Sequence, residues 1–168
     1  MKADQILLTD LLPIEFPILL APMYKVSSEA MTIEAMNTGI AACIPAKNWN
    51  SASEMATAIQ NIKNNTTKGA LGINLWANSS SEILEIEIEI CKQEKVDYIY
   101  SSLGNPTYIL KAFKNTDIKV FCAVGNEKQA LKAQKQGADA IVVSNKVELK
   151  HINIPIIIVG NINSGKAI

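Results

Sequence analysis

The chain has 168 residues, 48% hydrophobic and 19% charged, with 16 basic residues balancing 16 acidic ones for a formal net charge of +0. That length suits one domain over 1–168, and the apolar fraction is enough to bury a substantial core. The balanced charge leaves no electrostatic footprint for nucleic acid, and no window reaches the ~18 uncharged apolar residues of a membrane span. The N-terminal stretch is broken by Asp4, Asp10 and Glu15 and does not read as a secretory leader. Cys43, Cys91 and Cys122 show no C-x-x-C spacing, which predicts a reduced, cytoplasmic chain with buried thiols. All 16 basic residues are Lys. No guanidinium is therefore present to clamp a carboxylate or phosphate in bidentate fashion.

In chain order, the first strand-like run is FPILLAPM (16–23), and a Ser-capped helix follows over 27–39, closed by Gly39. GIAACIPA (39–46) is the second run; 50–65 is a helix capped by Ser51 or Ser53. GALGINLW (69–76) is the third. Residues 79–95 alternate Ile and Glu, a strand pattern. The Ser caps, the length and the position between two strong strands favour a helix. VDYIYSSLG (96–104) precedes a helix opened by Asn105-Pro106, and IKVFCAVG (118–125) precedes an amphipathic helix over 127–137 closed by Gly137. DAIVVSN (139–145) and IPIIIVGN (154–161) complete seven runs. Between these last two, KVELKHINI leaves room for about one helical turn rather than a crossover helix.

Strands alternating with helices predict a parallel α/β sheet whose ligands gather at the carboxyl ends of the strands. A closed eight-stranded barrel runs to ~250 residues, ~200 at the short end. The expectation is a TIM-barrel-like (β/α) repeat truncated to about seven strands. Two open sheet edges would favour self-association into a homo-oligomer.

The ordered set FPILLAPM with VSSEAM, LGINLW, YIYSSLGNPTYILKAFK, IKVFCAVGNEKQALKAQKQGADAIVVSN and IPIIIVGNI resembles the nitronate monooxygenase (2-nitropropane dioxygenase) family. It is also similar to the related FMN-dependent enoyl-acyl-carrier-protein reductases. The resemblance implies an FMN-dependent oxidoreductase that oxidises alkyl nitronates, with FMN at the mouth of a (β/α) barrel and a small-molecule substrate. It implies that Ala21, Pro22 and Met23 line the flavin ring, that Asn74 bonds it, and that Gly160 and Asn161 form the phosphate turn. Where the family has a Gly-Gly pair after strand seven, this chain has Gly160-Asn161. Counted without a gap, His151 falls on the family's catalytic His, but the preceding glycines are absent.

Each of these residues has a plainer reading. His151, the single histidine, is an exposed loop residue if it is not a base for an α-proton. Asn74 is a strand-end residue bonding its own loop, and Met23 is barrel core. Lys25 and Lys47 are surface lysines rather than phosphate contacts or Schiff-base amines. Trp49 and Trp76 wall a pocket or plug the mouth. Asp139 starts a strand. No metal constellation is present. Two alternatives to nitronate oxidation stand beside it: an FMN-dependent enoyl reductase, and a degenerate, flavin-free barrel without catalysis.

Overall fold

Seven strands form one sheet, all parallel and paired in chain order, from β1 to β7. The computed structural model describes residues 6–144 and 147–160. The strands are β1 (Leu19–Leu20), β2 (Ala41–Pro45), β3 (Ala70–Trp76), β4 (Tyr98–Ser102), β5 (Lys119–Ala123), β6 (Ala140–Ser144) and β7 (Ile156–Val159). The helices are α1 (Leu8–Leu11), α2 (Glu29–Asn37), α3 (Ala52–Asn64), α4 (Ser81–Gln93), α5 (Thr107–Phe113) and α6 (Glu127–Lys135), with a 3-10 turn at Ala46–Asn48. The sheet curls into a half-barrel, the TIM-barrel-like α/β fold that the alternating runs predict.

The helices start where the caps place them. Ser28, Ser51 and Asn126 each accept a backbone N–H with the side-chain oxygen, from Met31, Glu54 and Gln129. Each satisfies a donor that the first turn leaves without an intrahelical partner. In α4 the helical period wins over the Ile/Glu alternation. Leu84, Ile88 and Cys91 are buried at spacings of four and three, while Ile83 and Ile86 stay exposed.

Alternation along the strands divides the core in two. Ala42, Ile44, Leu71, Ile73, Leu75, Ile99, Val120, Ile141 and Val143 face the helices. Cys43, Tyr98, Tyr100, Phe121 and Val142 face the concave interior. The amino-end floor of that interior is closed by α1, through Leu8 and Leu12. The sequence reading places no helix there; Leu8 and Leu11 within it and Leu12 at its C-cap are its signal. Inside, Tyr98 stacks on Phe121 with ring centroids 4.9 Å apart. It occupies the space over Gly72, where an added Cβ would lie 2.2 Å from the Tyr98 ring.

β1 and β7 are shorter than their sequence runs. Pro17 and Pro22 bracket β1, and a strand with one neighbour has one ladder to extend it. The Ala41 amide donates to the Ile18 carbonyl, so alternate backbone groups, those of Leu19 and Ala21, face away from β2. At β7 the Ile141 amide donates to the Pro155 carbonyl, and the outward Ile156 and Ile158 are exposed. Between β6 and β7 no helix occurs among the described residues. Residues 147–155 instead form a strap along α6. Val147, Leu149, Ile152 and Ile154 pack on the outer core, and the Asn153 amide donates to the Gln134 side chain at 2.6 Å.

Replacing Gly72 by Ala should overpack the concave core and cost about 1–3 kcal/mol. The Gly72→Ala and Tyr98→Leu changes, made singly and together, test this by urea denaturation. The double variant should be less destabilised than the sum of the singles. Strict additivity would show that the Tyr98 ring is not the obstacle.

Candidate functional site

The carboxyl ends of β1, β3 and β4 form a connected mouth. After β1, Ala21 and Pro22 are half-buried and Met23 is exposed. A short network holds this loop. The Met23 amide donates to Ser27 Oγ at 3.0 Å, and the Met23 carbonyl accepts the amides of Val26 and Ser27. Asn48, in the 3-10 turn after β2, ties the loop down from outside. Its Oδ1 accepts the Lys25 amide at 2.9 Å and its Nδ2 donates to the Ser27 carbonyl at 2.8 Å. Lys25 takes a left-handed φ of 57° there. Asn48 was not legible as a functional residue, because its partners are 21 and 23 residues away and no local pattern marks it.

On β3, Asn74 is buried with its amide engaged. Nδ2 donates to the Tyr100 carbonyl at 2.7 Å and to Ser102 Oγ at 2.8 Å; Oδ1 accepts the Trp76 indole N–H at 3.1 Å. Oδ1 keeps one lone pair beyond that bond. Trp76 in turn meets Tyr24 edge-on, centroids 5.2 Å apart. The chain Tyr24–Trp76–Asn74 therefore joins the Ala21–Met23 loop to the buried amide, so these two groups of predicted residues belong to one assembly. Beside them, burial pushes the Tyr100 phenol up to about 12.

The other predicted residues fall elsewhere. Gly160 follows β7 with a left-handed φ of 83°, and no described residue lies within 4 Å of where a Cβ would be. A left-handed glycine is the backbone conformation that lets a turn aim its amides at an anion. Asn161 lies outside the described residues. His151 sits on the strap, its side chain 74% exposed, with Nδ1 3.0 Å from Glu127 Oε1 at the start of α6. The structure does not join it to Met23 or Asn74. The same Glu127 oxygen accepts the amides of Lys150 and His151. These bonds, the Lys150 amide foremost, hold the Glu127 carboxyl below its ordinary range. Lys47 leaves the mouth for an ion pair with Glu87 at 2.6 Å, and Trp49 packs on the outer core. Asp139 is the strand-start residue expected, accepting the Val120 amide at 2.8 Å. The three cysteines are free and buried; burial raises the thiols, Cys122 to about 12. Among the described residues no group of three or more His, Cys, Asp or Glu is placed to hold a metal. No described helix is long and apolar enough to cross a membrane.

Two outcomes follow. Asn74→Ala should strip partners from the Trp76 indole and the Ser102 hydroxyl. The expected cost is about 1–3 kcal/mol, with a shift of the Trp76 emission; an unchanged melting curve and emission would dismiss the network as decoration. Tyr100 is neutral in the fold and resists ionisation. Its contribution is complete below the ordinary phenol value of 10.0 and is lost as pH rises through about 12. Tyrosinate absorbance across that range should show a late step absent from Tyr100→Phe.

No family model matches the chain, and no curated protein matches it. Solved structures do. FabK from Thermotoga maritima superposes with a TM-score of 0.83 at 25% identity, over 95% of this chain and 55% of that one. Nitroalkane oxidase from Streptomyces ansochromogenes gives a TM-score of 0.75 at 15% identity, over 92% of this chain and 61% of that one. A mandelate oxidase mutant with the monooxide FMN adduct gives 0.66 at 15% identity, over 90% and 60%. At 15% the likeness is one of fold. The chain thus spans a little over half the length of FabK. Its structural neighbours are FabK and nitroalkane oxidase, members of the 2-nitropropane dioxygenase-like family that the sequence motifs resemble.

Proposed function

We propose that the chain is an FMN-dependent oxidoreductase of the nitronate monooxygenase type. The observation that carries this reading is the joined mouth: the Ala21–Pro22–Met23 loop held to Asn74 through Tyr24 and Trp76. The fold likeness to FabK over 95% of the chain supports it. So does the FMN adduct in the mandelate oxidase neighbour. The donor set fits a flavin. The half-buried Ala21–Pro22 rim admits a flat ring, the spare lone pair on Asn74 Oδ1 accepts a ring N–H, and the left-handed Gly160 suits a turn whose amides meet a phosphate. Without Arg, that phosphate is held by amides, hydroxyls or Lys.

Bound FMN would supply the two-electron redox chemistry. The protein's own residues bind and orient. Met23 and Trp76 exclude water from one side of the mouth, and Asn48 and Ser27 keep the rim loop from spreading. A nitronate is already the conjugate base of a nitroalkane, so its oxidation needs no proton abstraction. That suits a mouth to which His151 is not joined. The same position of His151 favours enoyl thioester reduction as the second reading, since that reaction also begins without an α-proton to remove.

The protein, mixed with FMN and desalted, should retain flavin absorbance that denaturation releases. Gly160→Val and Asn74→Leu should each weaken retention about tenfold or more, equivalent to ~1.4 kcal/mol. His151→Ala should leave retention and nitronate turnover unchanged. Turnover of nitronate but not enoyl thioester decides between the two readings. A protein that holds no FMN at high micromolar concentration is the flavin-free barrel, and the proposal fails.

A further inference from the structure

Between α5 and α6, at the carboxyl ends of β4 and β5, lies a pocket of about 480 Å³. It shares no residue with the Ala21–Met23 loop or Asn74, and it takes no part in the flavin reading. Its polar lining is Asn105, Gln129 and Lys132, with no carboxylate among the lining residues. Both amides are fixed through their oxygens. Asn105 Oδ1 accepts the Thr107 amide at 3.3 Å and the Thr107 hydroxyl at 2.7 Å; Gln129 Oε1 accepts the Gly125 amide at 2.8 Å. Neither side-chain NH₂ has a partner among the described residues. The Lys132 ammonium has one described partner, the same Asn105 oxygen at 3.5 Å, the limit of a hydrogen bond. Gln129 and Lys132 are three residues apart on α6 and so share a helix face. Three donors line one pocket without an acceptor to match them.

The surrounding charge has the sign those donors have. α5 and α6 carry Lys111, Lys128, Lys132 and Lys135 against Glu127 alone. That glutamate is turned to the strap, where it takes the Lys150 and His151 amides. The local field therefore draws an anion. The rest of the wall is apolar, from Leu103, Pro106, Ala123, Val124 and Ala133. Leu103 holds a left-handed φ of 55° and leaves 57% of its surface exposed. A hydrated inorganic ion gains nothing from such a wall, whereas an organic anion removes its hydrocarbon from water there. We infer that this pocket binds a small aliphatic carboxylate, its oxygens on Lys132, Asn105 Nδ2 and Gln129 Nε2 and its chain along Leu103 and Val124. The volume suits a ligand of small-molecule size.

The two side-chain amides and the wall methyls report occupancy directly. Hexanoate titrated into the full chain should give saturable shifts of the Asn105 and Gln129 NH₂ resonances and of the Leu103 and Val124 methyls, in the millimolar range or below. Hexylammonium should give none. Both 1-hexanol, which lacks the charge, and inorganic phosphate, which lacks the chain, should bind at least about tenfold more weakly. Lys132→Met should weaken hexanoate about tenfold. Gln129→Glu keeps an oxygen for the Gly125 amide and adds a negative charge, and it should abolish binding. Should that variant fail to fold, the exposed Lys132→Met carries the test. Equal binding of carboxylate, alcohol and amine would mean an unselective apolar patch and overturn the inference. Phosphate binding as tight as hexanoate, shifts confined to Trp76, or Lys132→Met binding hexanoate as well as the parent chain would each overturn it too.

Discussion

The absence of a side chain at Gly72 is the constraint on which the mouth depends. The Tyr98 ring fills the space over that glycine and stacks on Phe121, fixing residue 72 opposite residue 98. Two residues further along the same ladder, Asn74 then lies opposite Tyr100, and Trp76 opposite Ser102. A slip of one residue would turn Asn74 toward the helices and bring Ile73 to the concave face. The polar network at the carboxyl ends is thus a consequence of an apolar packing event below it. The arrangement carries a cost. Among the described residues the Tyr98 hydroxyl is buried with no oxygen or nitrogen partner, and burial raises its phenol well above the ordinary value, with the Cys43 thiol beside it adding to the shift.

The amino ends of the strands are secured by a repeated device. Asp97 and Asp139 each precede a strand and reach back to the one before. Their carboxylates accept the amides of Leu71 and Val120, at 2.7 and 2.8 Å. Their own amides donate to the carbonyls of the same two residues, at 3.0 and 2.9 Å. Each aspartate therefore closes a ring that lengthens the ladder by one step. Burial raises the Asp97 carboxyl, and the Leu71 amide opposes that rise. With α1 closing the floor, the amino face is given over to stability. The carboxyl face carries the loops, the division expected of a barrel-like fold.

Much of this was legible because it is local. Seven apolar runs gave seven strands, and Ser28 and Ser51 announced two helix starts. In α4 the length and the place between two strands outweighed an alternation that survives as the exposed Ile83 and Ile86, though Ser80 makes no side-chain cap bond. What was hidden depends on neighbours distant in sequence. The strap alternates apolar and polar residues as a strand would, yet its amides are taken by the side chains of Glu127 and Gln134, a pairing no periodicity encodes. The position of Asn74 at a strand end was readable. That its amide is engaged by Tyr100, Ser102 and Trp76 could be known only with the β3–β4 register.

The lysine-only composition closes the argument about what this mouth can recognise. An ammonium is a compact point charge without the guanidinium's fork, and the described lysines use it accordingly. Lys47, Lys68 and Lys92 each take one carboxylate, while Lys63 takes the carbonyls of Glu94 and Lys95 just past α4. Lys25, the lysine of the rim loop, rests over the Tyr24 ring at 5.3 Å. In the proposed reading, an anion would be met by groups fixed by backbone geometry alongside any lysine. Among the described residues these are the Gly160 backbone after β7 and, at the mouth, the Ser102 hydroxyl, which accepts from Asn74 and keeps its own proton to donate. Such groups cannot swing to meet a ligand as a long cationic side chain does. At Ser102, the precision of the mouth is set by the β3–β4 register, and so by the space over Gly72.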